Sequence, residues 1–304
     1  MKQDKSNDEK ISYYEKIIET NSSNLQANIK LYKLYLQNKQ PQQANKHIKK
    51  CILVDSKNEE KYIPYWITGL QYTDLKEAQS VAEKYIDKYP DNACIVALLG
   101  AIFKEKKEYS NAIKYITNAI NLVKKDKNFP HKDLFSIFYE NLLDIYITQE
   151  DIENSVKYSL DAINNSIVDK EKLYDIFTYK NTDTAIKIIK EIIEENKTDI
   201  YFTEKIGLLY FDQNKLDLAE KYLLQAIQLK TKNIDAYLKY IAIVLWENEN
   251  TLVAIKKYKI KDIIRQALEL AACNKTFIKL SKSIAIMTKD KELFKDIKNT
   301  KIKK

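Results

Sequence analysis

The chain has 304 residues, a formal charge of +8, 45% apolar residues, and only three glycines and four prolines. So little turn chemistry argues against a fold built on hairpins, and the length suits two ordinary domains or one elongated array of short-looped helices. Glycines at 69, 100 and 207 alone cannot build a phosphate-cradling loop or a dinucleotide-binding turn, and neither the polar start MKQDKSNDEK nor any later stretch encodes a signal peptide or a run of about 18 apolar residues, so a cytoplasmic protein is expected.

Residues 1–24 are expected to hold one capping helix, because EKISYYEKIIET places Ile11, Tyr14, Ile17 and Ile18 on one helical face. Residues 25–126 then read as three helix pairs in strict phase: Ala44, Ala78 and Ala112 each open a second helix and stand 34 residues apart. Leu31, Tyr32 and Tyr35 precede the first of these alanines, Tyr62, Tyr65 and Trp66 the second, and Leu99, Gly100 and Phe103 the third. The second pair departs from the pattern, with Trp66 and Tyr85 where small residues belong, and Pro90 closes it because proline cannot continue a helix.

The phase breaks at a lysine-rich insert, residues 127–135, which is expected to be exposed and to separate two parts of the chain. Four partly degenerate pairs follow over 136–275. Tyr139, Leu142, Leu143 and Tyr146 lead into Ser155, 43 residues after Ala112; Ala185 comes only 30 later, so its first helix, near KLYDIFTY, must be short; Ala219 restores the interval of 34. In the seventh unit Tyr237, Tyr240 and Ile241 begin a first helix, Val253 stands at the small position with Ala254 next, and residues 251–273 read equally as one helix or as two joined near Tyr258–Lys261. Residues 276–304 form a helical cap and basic tail, with Phe277, Leu280 and Ile284 followed by Leu293, Phe294 and Ile297.

The most regular stretch is 200–233. Its first helix carries Phe202, Ile206, Leu209 and Tyr210 on one face with Gly207 inside that face, and its second carries Leu216, Ala219, Leu223 and Ala226. A glycine within a helix is unfavourable by about 1 kcal/mol relative to alanine, which a closely approaching neighbour helix would offset. Gly100 occupies the same repeat place. Leucine at Gly207 is expected to overpack the pair, and alanine to be tolerated.

Ile206, Gly207, Tyr210, Ala219, Leu223 and Ala226 resemble, in order and spacing, the tetratricopeptide repeat (TPR). The resemblance covers roughly residues 9–288 and implies an all-α, right-handed α-solenoid of helix-turn-helix repeats, whose first helices line a concave groove that binds another protein. Some members clamp the C-terminal carboxylate of a chaperone with lysine and asparagine on the first helices. Here the comparable places hold Ile29 and Lys33, Ile63 and Ile67, and Ala97 and Ala101. That clamp is missing, and the apolar substitutes favour a hydrophobic peptide or amphipathic helix. The expected groove residues are Ile29, Lys33, Ile63, Ile67, Tyr201, Leu208 and Phe211, with Leu36 and Leu70 beside them. The alternative is that this stripe is buried against the protein's own inner surface.

No catalytic constellation is legible, so an enzyme is not expected, nor any cofactor or metal. His47 and His131 lack a second histidine or cysteine at ligand spacing, and Asp133 near His131 reads as loop polarity. Cys51, Cys94 and Cys273 are far apart, which suits reduced, buried thiols. The positive charge is nearly all lysine, Arg265 being the sole arginine. The lysine excess with abundant tyrosine supports an alternative reading as a nucleic-acid-binding helical repeat, but base and phosphate readers lean on arginine forks. Tyr35, Tyr62, Tyr139, Tyr146, Tyr210 and Tyr237 moreover fall at packing positions.

Overall fold

In a computed structural model, residues 6–126, 129 and 132–300 are described, and all their regular structure is helical. The chain forms two compact units. The first holds α1 (Asn7–Thr20), α2 (Leu25–Gln37), α3 (Pro41–Val54), a 3-10 turn at Ser56–Lys61, α4 (Ile63–Gln71), α5 (Leu75–Lys88), α6 (Ala93–Glu105), α7 (Tyr109–Lys125) and α8 (Lys132–Thr148), and the short stretch Asn164–Val168 belongs with it. The second holds α9 (Ile152–Asn164), α10 (Lys170–Lys180), α11 (Thr182–Glu195), α12 (Ile200–Asp212), α13 (Leu216–Gln228), α14 (Ile234–Trp246), α15 (Thr251–Lys257), α16 (Ile260–Ala267), a 3-10 turn at Leu270–Cys273, α17 (Lys275–Met287) and α18 (Lys291–Asn299).

Within each unit, packing runs between neighbours in sequence, most extensively in the pairs α2–α3, α6–α7 and α12–α13. This is the all-α solenoid of helix-turn-helix repeats that the 34-residue phase implies. Its core is drawn from the phased small residues: Ala44, Ala78, Ala112, Ser155, Ala185 and Ala219 are all fully buried. Ser155 is admitted there because its hydroxyl donates back to the Asp151 carbonyl, 2.7 Å away.

Two local devices set the helix boundaries. Asn24, Asp74, Asn92, Asp169, Asn181, Asp199, Asn233, Asn250, Asn274 and Asp290 each cap a helix start by accepting a backbone N–H, a contact worth about 1 kcal/mol apiece. At the other end, one hydrogen-bond pattern recurs five times. Lys39, Lys107, Asn214, Lys230 and Lys289 adopt left-handed φ between 54 and 65°. Each donates to a carbonyl three residues back while the next residue donates five residues back, as Lys39 to Leu36 and Gln40 to Tyr35. That paired bond is the Schellman motif, usually completed by glycine; here lysine or asparagine fills it.

The structure differs from the sequence expectations in three places, and at 251–273, where two readings stand open, it takes the one with two helices. The insert at 127–135 does not separate the units, because α8 begins at Lys132 and packs on α6 and α7 inside the first unit; Lys127, Asn128, Pro130 and His131 lie outside the described residues. Residues 251–267 are two helices, broken at Lys259 in the left-handed region. Val253 is 59% exposed while Ala254 is 1% exposed, so Ala254 takes the small position. Finally, a Cβ at Gly207 would meet the Leu223 backbone nitrogen at 3.0 Å and its side chain at 2.9 Å. Alanine at Gly207 therefore fits only if Leu223 gives way by a few tenths of an ångström. At Gly100 the same clash is with Ile116 N at 3.0 Å and Ala112 O at 3.2 Å.

Candidate functional site

The first helices of the second unit carry the most developed surface. Their N-termini are pinned by a chain of buried carboxylates. Asp199, before α12, accepts the Phe202 N–H at 3.1 Å and the Lys170 ammonium from the start of α10 at 2.5 Å. Glu204, one turn into α12, accepts the Thr231 hydroxyl and, at 2.7 Å, the Asn233 amide. Asn233 in turn caps α14 through the Asp235 N–H. Buried carboxylates are tolerated only where such donors satisfy them; here the donors come from successive repeats, which fixes α10, α12 and α14 in register.

Above that floor lies a row of aromatic rings and lysines. Phe177 and Phe202 stack in the core with centroids 6.2 Å apart, and beside them Tyr174 and Tyr201 meet edge to face at 6.4 Å. The Lys205 ammonium lies 4.9 Å from the Tyr174 ring centre and 5.3 Å from that of Tyr201. One repeat further on, Lys239 lies 4.6 Å from the Phe211 centre and donates to Asp212 at 2.9 Å, and Phe211 stacks on Trp246 at 6.3 Å. Trp246 is 69% exposed, and Tyr174, Tyr201, Leu208 and Phe211 are half-buried. Each such cation–ring contact contributes about 0.5–1 kcal/mol at an exposed site, so the face is ordered without being sealed.

The Tyr201 hydroxyl is enclosed and has no hydrogen-bond partner. Leaving a buried hydroxyl unpaired costs about 1–3 kcal/mol. Burial, with the negative charges of Glu171 and Asp175 added, pushes its pKa well above the ordinary phenol value, so it remains a donor throughout the physiological range. Burial likewise raises Tyr174, with Asp212 and Asp175 contributing. The face therefore offers flat apolar area and two cations already leaning on rings, while the Tyr201 hydroxyl lies beneath it unpaired.

The expected groove residues divide between the units. Tyr201, Leu208 and Phe211 share the face just described. In the first unit Ile29 and Leu36 pack against the cluster of Tyr32, Ala44, Ile48, Cys51 and Tyr62, and Lys33 is exposed, 5.7 Å from the Tyr65 ring centre. Ile63 and Ile67 are 0% exposed and Leu70 is buried. These three are core and not groove, because α4 is covered by α3, α5, α6 and the preceding 3-10 turn. At the next place along, Lys104 is engaged by Asn141 and Asp144, both at 2.8 Å.

The expectation missed Tyr174, Lys205, Lys239 and Trp246. A signal for two of them was present: Lys205 and Lys239 stand 34 residues apart on first helices, and each leans on an aromatic of the first helix of the preceding repeat. Of the tyrosines read as packing residues, Tyr62, Tyr139, Tyr146, Tyr210 and Tyr237 are buried and Tyr35 is half-buried. Cys51 and Cys94 are free thiols, raised to about 11 by burial; the Cys273 side chain lies outside the described residues. Among the described residues no group of three or more His, Cys, Asp or Glu is placed to hold a metal ion, and no helix is long and apolar enough to cross a membrane.

The tetratricopeptide repeat family model matches residues 204–233, the pair α12–α13. No curated protein sequence matches the chain. Solved structures similar to it include the APC/C hetero-tetramer Cut9–Hcn1, at 12% identity and a TM-score of 0.46 over 78% of this chain, which spans only 46% of that one. Others are PilF of Pseudomonas aeruginosa, at 14% identity and 0.36 over 98% of this chain and 100% of that one, and a tetratricopeptide repeat protein of Parabacteroides merdae, at 16% and 0.37 over 90% and 99%. The family match thus places one tetratricopeptide repeat at residues 204–233, with further phased helix pairs on either side of it.

Proposed function

We propose that this chain is a non-catalytic interaction scaffold, acting in the cytoplasm, which binds a peptide or amphipathic helix of another protein along the first helices of its second unit. The observation that carries the reading is the face of Tyr174, Tyr201, Lys205, Phe211, Lys239 and Trp246, with the enclosed Tyr201 hydroxyl unpaired. Large rigid rings give contact area at small entropic loss, and the Lys205 and Lys239 ammonium groups beside them can meet a carbonyl or carboxylate of the peptide.

The test is affinity capture from the native host, followed by mass spectrometry, with the wild-type chain and with Tyr201→Ala combined with Phe211→Ala. Both side chains are only half-buried, so the double variant is expected to keep its helicity and lose its partner. Capture of the same protein by both forms would refute the proposal. So would binding to nucleic acid that weakens steeply between about 50 and 200 mM salt, the mark of phosphate-driven association.

A further inference from the structure

A second surface lies at the far end of the second unit, away from the face just discussed in sequence and unlike it in charge. Where α15, α16 and the turn from α17 to α18 meet, they enclose a cleft of about 530 Å³. Its walls are Leu252, Ile255 and Met287. Ile255 is buried, while Leu252 and Met287 are 53% and 48% exposed, so large aliphatic groups stand open on both sides. Lys256, Lys259 and Lys289 rim it, all exposed.

The carboxylates of this region are already engaged. Asp290 accepts Lys261 at 2.9 Å and lies 3.7 Å from Arg265; Arg265 also reaches Asp296 at 3.3 Å and Asp262 at 3.5 Å. These pairs tie the break at Lys259 to the turn at Lys289 and hold the cleft open between them. Among the described residues Lys256, Lys259 and Lys289 have no carboxylate partner. The cleft therefore presents three unneutralised ammonium groups around an apolar slot.

We infer that this cleft is a docking site for an acidic peptide segment of a partner protein that carries an aliphatic or aromatic anchor among its carboxylates. Charge complementarity selects the acidic flank and steers its approach, and burial of Leu252 and Met287 against the anchor supplies the apolar contribution. A nucleic acid fits less well. The single arginine is spent on three aspartates, so no guanidinium fork is free for phosphate or base, and the exposed apolar groups are aliphatic, with no ring on which a base could stack.

The experiment uses the full chain and a fluorescein-labelled probe peptide of consecutive glutamates interrupted by one leucine and one phenylalanine, followed by fluorescence anisotropy. Saturable binding is expected. Lys256→Glu with Lys289→Glu should weaken it at least tenfold, as should Leu252→Ser, with helicity by circular dichroism unchanged because all three side chains are exposed. Tyr201→Ala with Phe211→Ala should leave it unaltered, which separates this site from the first-helix face. The inference is overturned by absence of saturable binding, by equal affinity for a glutamate peptide without the two apolar residues, by tighter binding of a single-stranded oligothymidine that displaces the probe, or by indifference to the cleft variants.

Discussion

The first helices of the two units start from similar sequence patterns and end in opposite situations. In the first unit α4 is nine residues long and packs against α3, α5, α6 and the 3-10 turn before it, so the second apolar stripe of Ile63, Ile67 and Leu70 is consumed as core. In the second unit α12 is thirteen residues long, packs chiefly on α13, and is pinned to α10 and α14 at its start by Asp199 and Glu204. Its second stripe, Tyr201, Leu208 and Phe211, stays half-open. An apolar stripe beside the packing stripe thus carries no fixed meaning. α12 also touches α11 and α14, so what separates the closed flank from the open one is the shorter α4 and the 3-10 turn packed on it.

The largest expected effect would break this contrast at its buried end. Ile63→Ser with Ile67→Ser should destabilise the chain by about 4–8 kcal/mol, because both side chains leave cavities and bring hydroxyls into the core; a urea midpoint unmoved by the pair would make the two units alike after all. Next comes the pinning of the open end. Glu204→Ala strips the acceptor from the Thr231 hydroxyl and the Asn233 amide and should cost about 2–3 kcal/mol, with amide exchange quickening at 231–236 ahead of the rest of the chain.

Glycine crossings sharpen the comparison at smaller scale. Gly207→Ala should destabilise by about 1–2 kcal/mol, since the added methyl meets the Leu223 backbone nitrogen at 3.0 Å. Gly69→Ala in the first unit meets only the far end of the Asn45 side chain, whose oxygen has no partner to lose, and the gain in helix propensity of about 1 kcal/mol should leave it near neutral. Equal losses by calorimetry would contradict the assignment of α12–α13 as the tighter crossing. The smallest effect concerns the open face itself. Tyr201→Phe removes the unpaired hydroxyl and should raise the stability of the free chain by about 0.5–1 kcal/mol; a loss of stability would mean that the hydroxyl is already satisfied.

Much of the fold was legible because the small residues are phased. Ala44, Ala78, Ala112, Ala185 and Ala219 can sit only where two helix axes cross, so their spacing reports the repeat directly. The candidate site was legible only by half. Tyr201, Leu208 and Phe211 announce themselves by helical spacing, but nothing local to Ile63 and Ile67 tells that α4 is covered on both flanks, since that depends on α6, nearly thirty residues further along. Lys205 and Lys239 were overlooked because lysine is everywhere in this chain and its usual place is a solvated surface; only contact with rings from the preceding repeat gives these two a distinct role. The break at Lys259 stayed one of two open readings for a similar reason, because lysine carries none of the conformational signature that glycine would.

The five turns closed by lysine or asparagine in the left-handed region have a consequence for how such an array changes over generations. Their shape is dictated by two backbone hydrogen bonds and by the helices on either side, so the side chain at the turn has only to tolerate a left-handed backbone, which shuts out proline and β-branched residues. Mutation can rewrite that position repeatedly without altering the angle between the helices it joins. Architecture of this kind is inherited through its lengths and its crossings, and it outlives the identity of most of the residues that spell it.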